Sequence, residues 1–296
     1  MENLLNKMKD NNIKVYNFRD LDICEELGEG ANGKVYRCNI FNKRYAVKKL
    51  HQTNIKSKSN YLLNEILNEI DIGQKLNSKR IMKIYGMSYN EEKKEVYIIL
   101  ELLNNKGCLF DYLYKMNNNF NKYEKITLFL SIVKAVRDLH ENNYCHADLK
   151  PENLVYYYDL REKTKYIKLI DFDRVAKISE GDNYINFTRG TYGYCAPEQH
   201  IKDKYLCLKS DIYSLGVIFL EILYEYELWD PQYYNYQKYR LSILEKLEEI
   251  KNDDLIINKI INKCLSKSPG KRYDINELYN EILVLKNVNY YHNDRK

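Results

Sequence analysis

No C-x-x-C pair occurs among the seven cysteines of this 296-residue chain, which stand at positions 24, 38, 108, 145, 195, 207 and 264. An odd count without that spacing excludes a disulfide framework and a cysteine-based zinc site, and free thiols point to a reducing compartment. Long apolar runs are missing too. The most apolar stretch, Ile212 to Leu223, is twelve residues, short of the roughly 20 that cross a bilayer. The N-terminus has no apolar run of signal type, and Glu2 stands where N-myristoylation needs glycine. Charge of one sign is nowhere concentrated. The formal net charge is +5, with Lys and Arg interleaved among Asp and Glu, so a stripe that would neutralise a phosphate backbone is absent and no nucleic-acid partner is expected. These absences together predict an intracellular protein, cytoplasmic or nuclear, without membrane insertion. Oligomeric state is not readable from them.

What is present describes a globular chain: 45% hydrophobic and 30% charged residues, long enough for one large domain or two lobes with cores of their own. The 30 tyrosines against 8 phenylalanines are scattered rather than gathered into a stacking platform, as nucleotide-composition bias would leave them. No internal repeat occurs. Leu21 to Leu50 reads as strands around a glycine-rich turn, ending in "YAVKKL". Residues 60–76 carry Leu62, Leu63, Ile66, Leu67 and Ile70 at helical spacing. "EVYIILELL" reads as a buried strand. After Gly107 the character changes, with a helical run at 124–141, a hairpin across "VYYYDLREKTKYIKLI", and helical periodicity from Leu208 to about Leu285. The expected class is α+β: a small strand-rich lobe with one helix, then a larger and mainly helical lobe, divided near Asn104.

"GEGANGKV" sets Gly28, Gly30 and Gly33 in the spacing G-x-G-x-x-G, followed by Val35. Without side chains, such a turn lets backbone N–H groups approach phosphates. A dinucleotide-binding turn and ordinary glycine turns share the spacing, so alone it is a weak signal. Here the glycines lead into another strand rather than a helix, and the next marked residue is Lys48, a point charge suited to phosphate oxygens. Val35 and Ala46 would roof an adenine ring. Glu69, or Glu65 one helical turn earlier, is expected to hold Lys48; an isolated glutamate would otherwise belong to a solvated helix face.

"HADLKPENLV", followed by "IDF" and "GTYGYCAPE", resembles the catalytic loop, metal-binding strand and activation-segment end of the protein kinase family. The resemblance runs over about residues 21–286 and implies a bilobal kinase fold. It divides the chain into an N-terminal extension 1–20, a kinase domain 21–286 (N-lobe about 21–103, C-lobe about 104–286) and a tail 287–296. It implies ATP and Mg²⁺ as cofactors, with Mn²⁺ as a substitute, and a protein as substrate. By position, Asp148 is the implied catalytic base, Lys150 balances charge on the moving phosphoryl group, and Asn153 and Asp171 are the metal ligands. The implied nucleotide contacts are Gly28, Gly30, Gly33, Val35, Ala46, Lys48, Glu69 and Val155, with backbone groups of Glu101 and Leu103 and with Leu100 guarding the back pocket. Glu198 with Arg272, and Asp211, match structural braces. Lys150 and Thr191 imply serine/threonine rather than tyrosine specificity, and Thr188 is the phosphorylation site the segment suggests, with Ser179 and Thr191 the other hydroxyls.

Ala147 stands where the family carries arginine, and Asp173 where it carries glycine. The first weakens the electrostatic reason for control by activation-segment phosphorylation; the second adds a negative charge near the metals, or simply points to solvent. Gly73 replaces a larger apolar residue, which leaves either a thin, mobile helix or a register in which Ile72 packs instead. These departures sustain a competing reading, a nucleotide-binding pseudokinase acting as scaffold. A small-molecule kinase is a further alternative, disfavoured by "APE" and Arg272.

Overall fold

The computed structural model describes residues 13–30, 33–51, 61–103, 107–116, 120–159, 164–178, 185–186, 190–200, 205–225 and 255–293. It divides into two compact units, Met1–Asn104 with Asp171–Asp173, and Asn105–Ile170 with Arg174–Lys296. The architecture is mixed α+β.

The first unit is built on strands β1 (Val15–Asn17), β2 (Leu21–Gly30), β3 (Gly33–Ile40), β4 (Lys43–Leu50), β5 (Ile84–Asn90) and β6 (Glu95–Leu100). They form one sheet in the order β1-β5-β6-β4-β3-β2. β1 runs parallel to β5, whereas the β2–β3–β4 meander is antiparallel. The segment read as an extension therefore gives this sheet one of its strands. Alternation places Cys38, Ile40, Val47 and Ile99 in a buried cluster, flanked by Tyr16, Leu21, Ile23, Tyr36 and Tyr45. β6 instead is buried at every position: residues 96–100 are a continuous apolar run, and Glu95 at its start is paired with Lys49 at 2.7 Å.

Helix α1 (Tyr61–Lys75) contributes Ile66, Leu67, Ile70 and Ile72 to the core; the first three share one helical face, and Ile72 is buried on another side. The side chains of Leu62, Leu63 and Glu65 lie outside the described residues. Gly73 is not a thin place, and Ile72 beside it is buried. Ile84 at the start of β5 packs against the bare backbone there, and a Cβ built at residue 73 would stand 2.7 Å from the Ile84 Cβ. We therefore expect Gly73→Ala to destabilise the chain by about 1 kcal/mol, although alanine is the better helix former, because overpacking outweighs the propensity gain. Urea denaturation of Gly73→Ala, Ile84→Ala and the double variant measures this; the cost of Gly73→Ala should vanish in the Ile84→Ala background, where the clash is gone.

The second unit comprises α2 (Leu109–Tyr114), α3 (Lys122–His140), β7 (Tyr144–Cys145), β8 (Leu154–Asp159), β9 (Thr164–Leu169), β10 (Ala176–Lys177), β11 (Ile185–Asn186), β12 (Tyr205–Leu206), α4 (Leu208–Tyr224), α5 (Leu255–Cys264) and α6 (Ile275–Asn293). Helix α3 starts at a reciprocal cap: Glu124 N–H donates to Asn121 Oδ1 at 3.0 Å, and Asn121 N–H donates to Glu124 Oε2 at 2.9 Å. Its Phe129 stacks on Phe219 of α4 with ring centroids 4.1 Å apart. β8 and β9 pair antiparallel from Leu154↔Leu169 to Asp159↔Thr164, as the expected hairpin. The apolar run 212–223 is the body of α4, where every residue from Ser210 to Ile222 is buried. Among the described residues, no helix is long and apolar enough to cross a membrane. α6 continues to Asn293, beyond the expected end of the domain at 286.

Candidate active site

In the first unit, antiparallel pairing of β3 with β4 sets Lys48 directly opposite Val35. The Lys48 ammonium stands 2.8 Å from Asp171 Oδ1 and 3.5 Å from Glu69 Oε1, so α1 and the strand-following Asp171 share one cation. Burial opposes the ammonium charge, but the Glu69 and Asp171 carboxylates outweigh it and hold the Lys48 pKa above the ordinary lysine value. Burial in turn pushes the Glu69 carboxyl above its usual range, against the pull of Lys48. Of the two glutamates weighed from sequence, Glu69 stands against Lys48, and the side chain of Glu65 lies outside the described residues.

The glycines divide by environment. At Gly33 a Cβ would strike the Lys49 carbonyl, so close passage of β4 demands glycine there. At Gly28 a Cβ would meet nothing within 4 Å, and at Gly30 only the Gly33 carbonyl oxygen at 4.0 Å. Packing among the described residues therefore gives no reason for those two. Ala46 is buried opposite Leu100, and the Glu101 N–H donates to the Lys83 carbonyl oxygen at 2.9 Å. Asp171 has φ +63°, a left-handed conformation that aspartate tolerates better than most residues. Asp173 does not occupy that region, so the backbone requires no glycine at 173. Its side chain is not simply turned to solvent: Oδ1 is shielded from water, and its charge adds to those raising the Lys48 pKa.

In the second unit, Asp148 is buried and its carboxylate is encircled by donors. Oδ1 accepts from Thr191 Oγ1–H at 2.6 Å, Thr191 N–H at 3.0 Å and Arg174 Nη1 at 3.1 Å. Lys150 Nζ lies 3.4 Å from Oδ2 and donates to Thr191 Oγ1 at 3.1 Å. Asn153 Nδ2 donates to the Asp148 carbonyl oxygen at 2.9 Å, which assigns its amide nitrogen to that bond and leaves the amide oxygen as the donor atom toward a cation. Val155 is buried and bridges to Cys108. Beneath this loop, Asp211 Oδ2 accepts from His146 N–H at 2.8 Å and Oδ1 from Ala147 N–H at 3.0 Å. The His140 ring nitrogen stands 2.8 Å from Oδ2. Burial works to raise the Asp211 pKa, yet His140 and the His146 N–H hold it below the ordinary aspartate value. These bonds fix Ala147 at φ +66°, a strain of about 1–2 kcal/mol for an L-residue.

Residues 21–284 match the family described as the protein kinase domain. The chain is a protein kinase family member. Its strand-rich first unit and helical second part are those of a kinase domain. This kinase chain is 30% identical over 226 residues to a probable serine/threonine-protein kinase, fnkE, of Dictyostelium discoideum, covering 74% of this chain and 17% of that one. Identity is 29% over 296 aligned positions to calcium/calmodulin-regulated receptor-like kinase 2 of Arabidopsis thaliana, covering 93% and 64%. It is 27% over 271 positions to serine/threonine-protein kinase PSK1 of Saccharomyces cerevisiae, covering 86% and 19%. The kinase chain thus spans from 17% to 64% of the length of these curated relatives.

Sequence reasoning missed Arg174. It follows Asp173 directly, inside the segment already under scrutiny, but nothing in a one-dimensional pattern marks an arginine as turned toward Asp148. Ser179 and Thr188 lie outside the described residues.

Proposed function

We propose that the chain is an active serine/threonine protein kinase, Mg²⁺-dependent, that moves the terminal phosphate of ATP to a protein hydroxyl. The observation that carries this reading is the Asp148 carboxylate, buried, charged on one side by Lys150 and held by Thr191. In the step proposed, the substrate oxygen forms a bond to the terminal phosphorus, the bond from that phosphorus to ADP breaks, and the hydroxyl proton passes to Asp148. Lys150 offsets charge on the phosphoryl group as it moves, and its bond to the Thr191 hydroxyl supports an aliphatic acceptor rather than tyrosine.

Lys48, held by Glu69, orients the phosphates, and the N–H groups around Gly28, Gly30 and Gly33 face them. The open space where side chains of residues 28 and 30 would stand supports that use. Val35, Ala46 and Val155 pack on the adenine ring, Glu101 and Leu103 meet it through backbone groups, and Leu100 guards the back pocket. Asp171 and Asn153 offer a carboxylate and an amide oxygen, the hard donors that magnesium takes, and Mn²⁺ would fit the same pair. Among the described residues no three His, Cys, Asp or Glu side chains gather as a metal cage; this suits an ion that arrives with a nucleotide and keeps phosphate and water ligands. Bound there, the cation neutralises phosphate charge. The catalytic domain is proposed to span 21–286, and the unpaired cysteine count supports an intracellular setting.

The purified chain should phosphorylate dephosphorylated casein with Mg²⁺-ATP, and the product should contain phosphoserine and phosphothreonine without phosphotyrosine. Chelation of the divalent cation should stop transfer, and added Mg²⁺ should restore it. Nucleotide binding without any transfer would leave the pseudokinase reading in its place, the outcome that Ala147 and Asp173 would then explain.

A further inference from the structure

The two oxygens of the Asp148 carboxylate are loaded unequally. Oδ1 carries three donors: the Thr191 hydroxyl at 2.6 Å, the Thr191 N–H at 3.0 Å and Arg174 Nη1 at 3.1 Å. Oδ2 faces the Lys150 ammonium at 3.4 Å, an ion-pair separation longer than a good hydrogen bond. A carboxylate oxygen offers about two lone-pair directions. Three donors therefore fill Oδ1, and a proton arriving from a substrate hydroxyl is directed to Oδ2.

Two of the three donors belong to Thr191, and the third is a full cation. Arg174 reaches Asp148 from 26 residues along the chain. Its side chain is 27% exposed and that of Asp148 3%, so the pair is partly shielded and stronger than a surface contact. Ala147, beside Asp148 in sequence, brings no charge. Lys150, the other cation in reach among the described residues, contacts the opposite oxygen.

We propose that Arg174 is a positioning residue for phosphate transfer: with Thr191 it clamps Oδ1 of Asp148 and so presents Oδ2 as the proton-accepting oxygen. This rests on the reading of Asp148 as base given above. The proton leaves the substrate hydroxyl for Oδ2 as the new oxygen–phosphorus bond forms, and ADP departs with the electron pair of the bond that breaks. Arg174 itself gains and loses nothing. Because the clamp needs no phosphate group, it also orders Asp148 in the unphosphorylated chain.

The test uses the full chain with Mg²⁺-ATP and dephosphorylated casein, comparing wild type with Arg174→Ala, Arg174→Gln and Arg174→Lys. The neutral variants should lose about tenfold in kcat, the scale of one charge-assisted hydrogen bond. KM for ATP and for casein should stay within about twofold, since the contact serves the transition state rather than binding. Arg174→Lys should recover several-fold of the loss. Arg174→Gln keeps the side-chain stem, so its kcat remains informative should Arg174→Ala unfold. A neutral variant as fast as wild type, or faster, overturns the proposal; the faster outcome would make Arg174 a brake. A loss confined to KM, or a lysine variant no better than glutamine, overturns it as well. A wild-type chain that phosphorylates neither casein nor itself overturns this assignment together with the active-kinase reading. Transfer that is lost in Asp148→Asn yet indifferent to Arg174→Gln overturns the Arg174 assignment alone.

Discussion

Asp148→Asn is expected to lower kcat by about 10³-fold while leaving nucleotide affinity within about twofold of wild type. The amide keeps a carbonyl oxygen that can accept from the Thr191 hydroxyl and N–H, the two Thr191 bonds now made to Oδ1 at 2.6 and 3.0 Å. The loop should therefore hold its shape. What disappears is the capacity to take a proton, together with the charge that faces Lys150 and Arg174. Steady-state transfer to casein gives the first quantity, and titration of a fluorescent ATP analogue gives the second. Retention of more than about a tenth of wild-type turnover would remove Asp148 from the proposed role. Weakened nucleotide affinity at unchanged turnover would assign it to binding instead.

The largest effect on stability is expected at Arg272. Its guanidinium and the Glu198 carboxylate form a paired contact, Nη1 to Oε1 and Nη2 to Oε2, both at 2.7 Å, with 1% and 3% of the two residues exposed. The same guanidinium donates to the carbonyl oxygens of Lys209 and Ser266, each at 2.9 Å, and Ser210 Oγ donates to Glu198 Oε1 at 2.8 Å. Truncation to alanine would strand a buried carboxylate and the carbonyl oxygens of Lys209 and Ser266 at once. A loss of about 3–5 kcal/mol follows for such a broken buried pair. Arg272→Met with Glu198→Leu should cost less than Arg272→Ala alone, because no uncompensated charge then remains in the interior. Urea denaturation of wild type and the two variants decides it. A single-variant loss under about 1 kcal/mol would show that Glu198 is reached by water or held by other groups.

Elements of long, regular pattern were legible in the sequence. Helix α3 follows from apolar positions at helical spacing, β6 from its unbroken apolar run, and the β8–β9 hairpin from two strand-like flanks around a polar centre. The motif residues Lys48, Asp148, Asn153 and Asp171 were legible in another way, through the resemblance of their surrounding segments to the kinase family's motifs. Contacts set by tertiary packing were not. Gly73 looked like a weakness because the sequence cannot show that Ile84 occupies the space its side chain would fill. Asp173 looked ready for solvent because nothing adjacent in the chain announces the Lys48 charge nearby. β1 escaped because three residues beside a neighbouring strand make no periodic signal. Arg174 escaped because its partner lies on a different loop.

Ile84 at the Gly73 backbone acts as a peg in a notch one residue wide. Glu69 lies about one turn from that notch on the same helix, so the peg that seats the helix also sets the azimuth at which Glu69 meets Lys48. Gln74 Nε2 reaches the Tyr85 carbonyl oxygen at 3.4 Å and closes the seam beside it. Rolling the helix about its axis would lift the peg and drive a neighbouring side chain into β5, at a steric cost that grows with the first few degrees. The helix that bears Glu69 is thus keyed to the sheet, and a shift of its backbone away from Lys48 has to break the fit of Ile84 at Gly73.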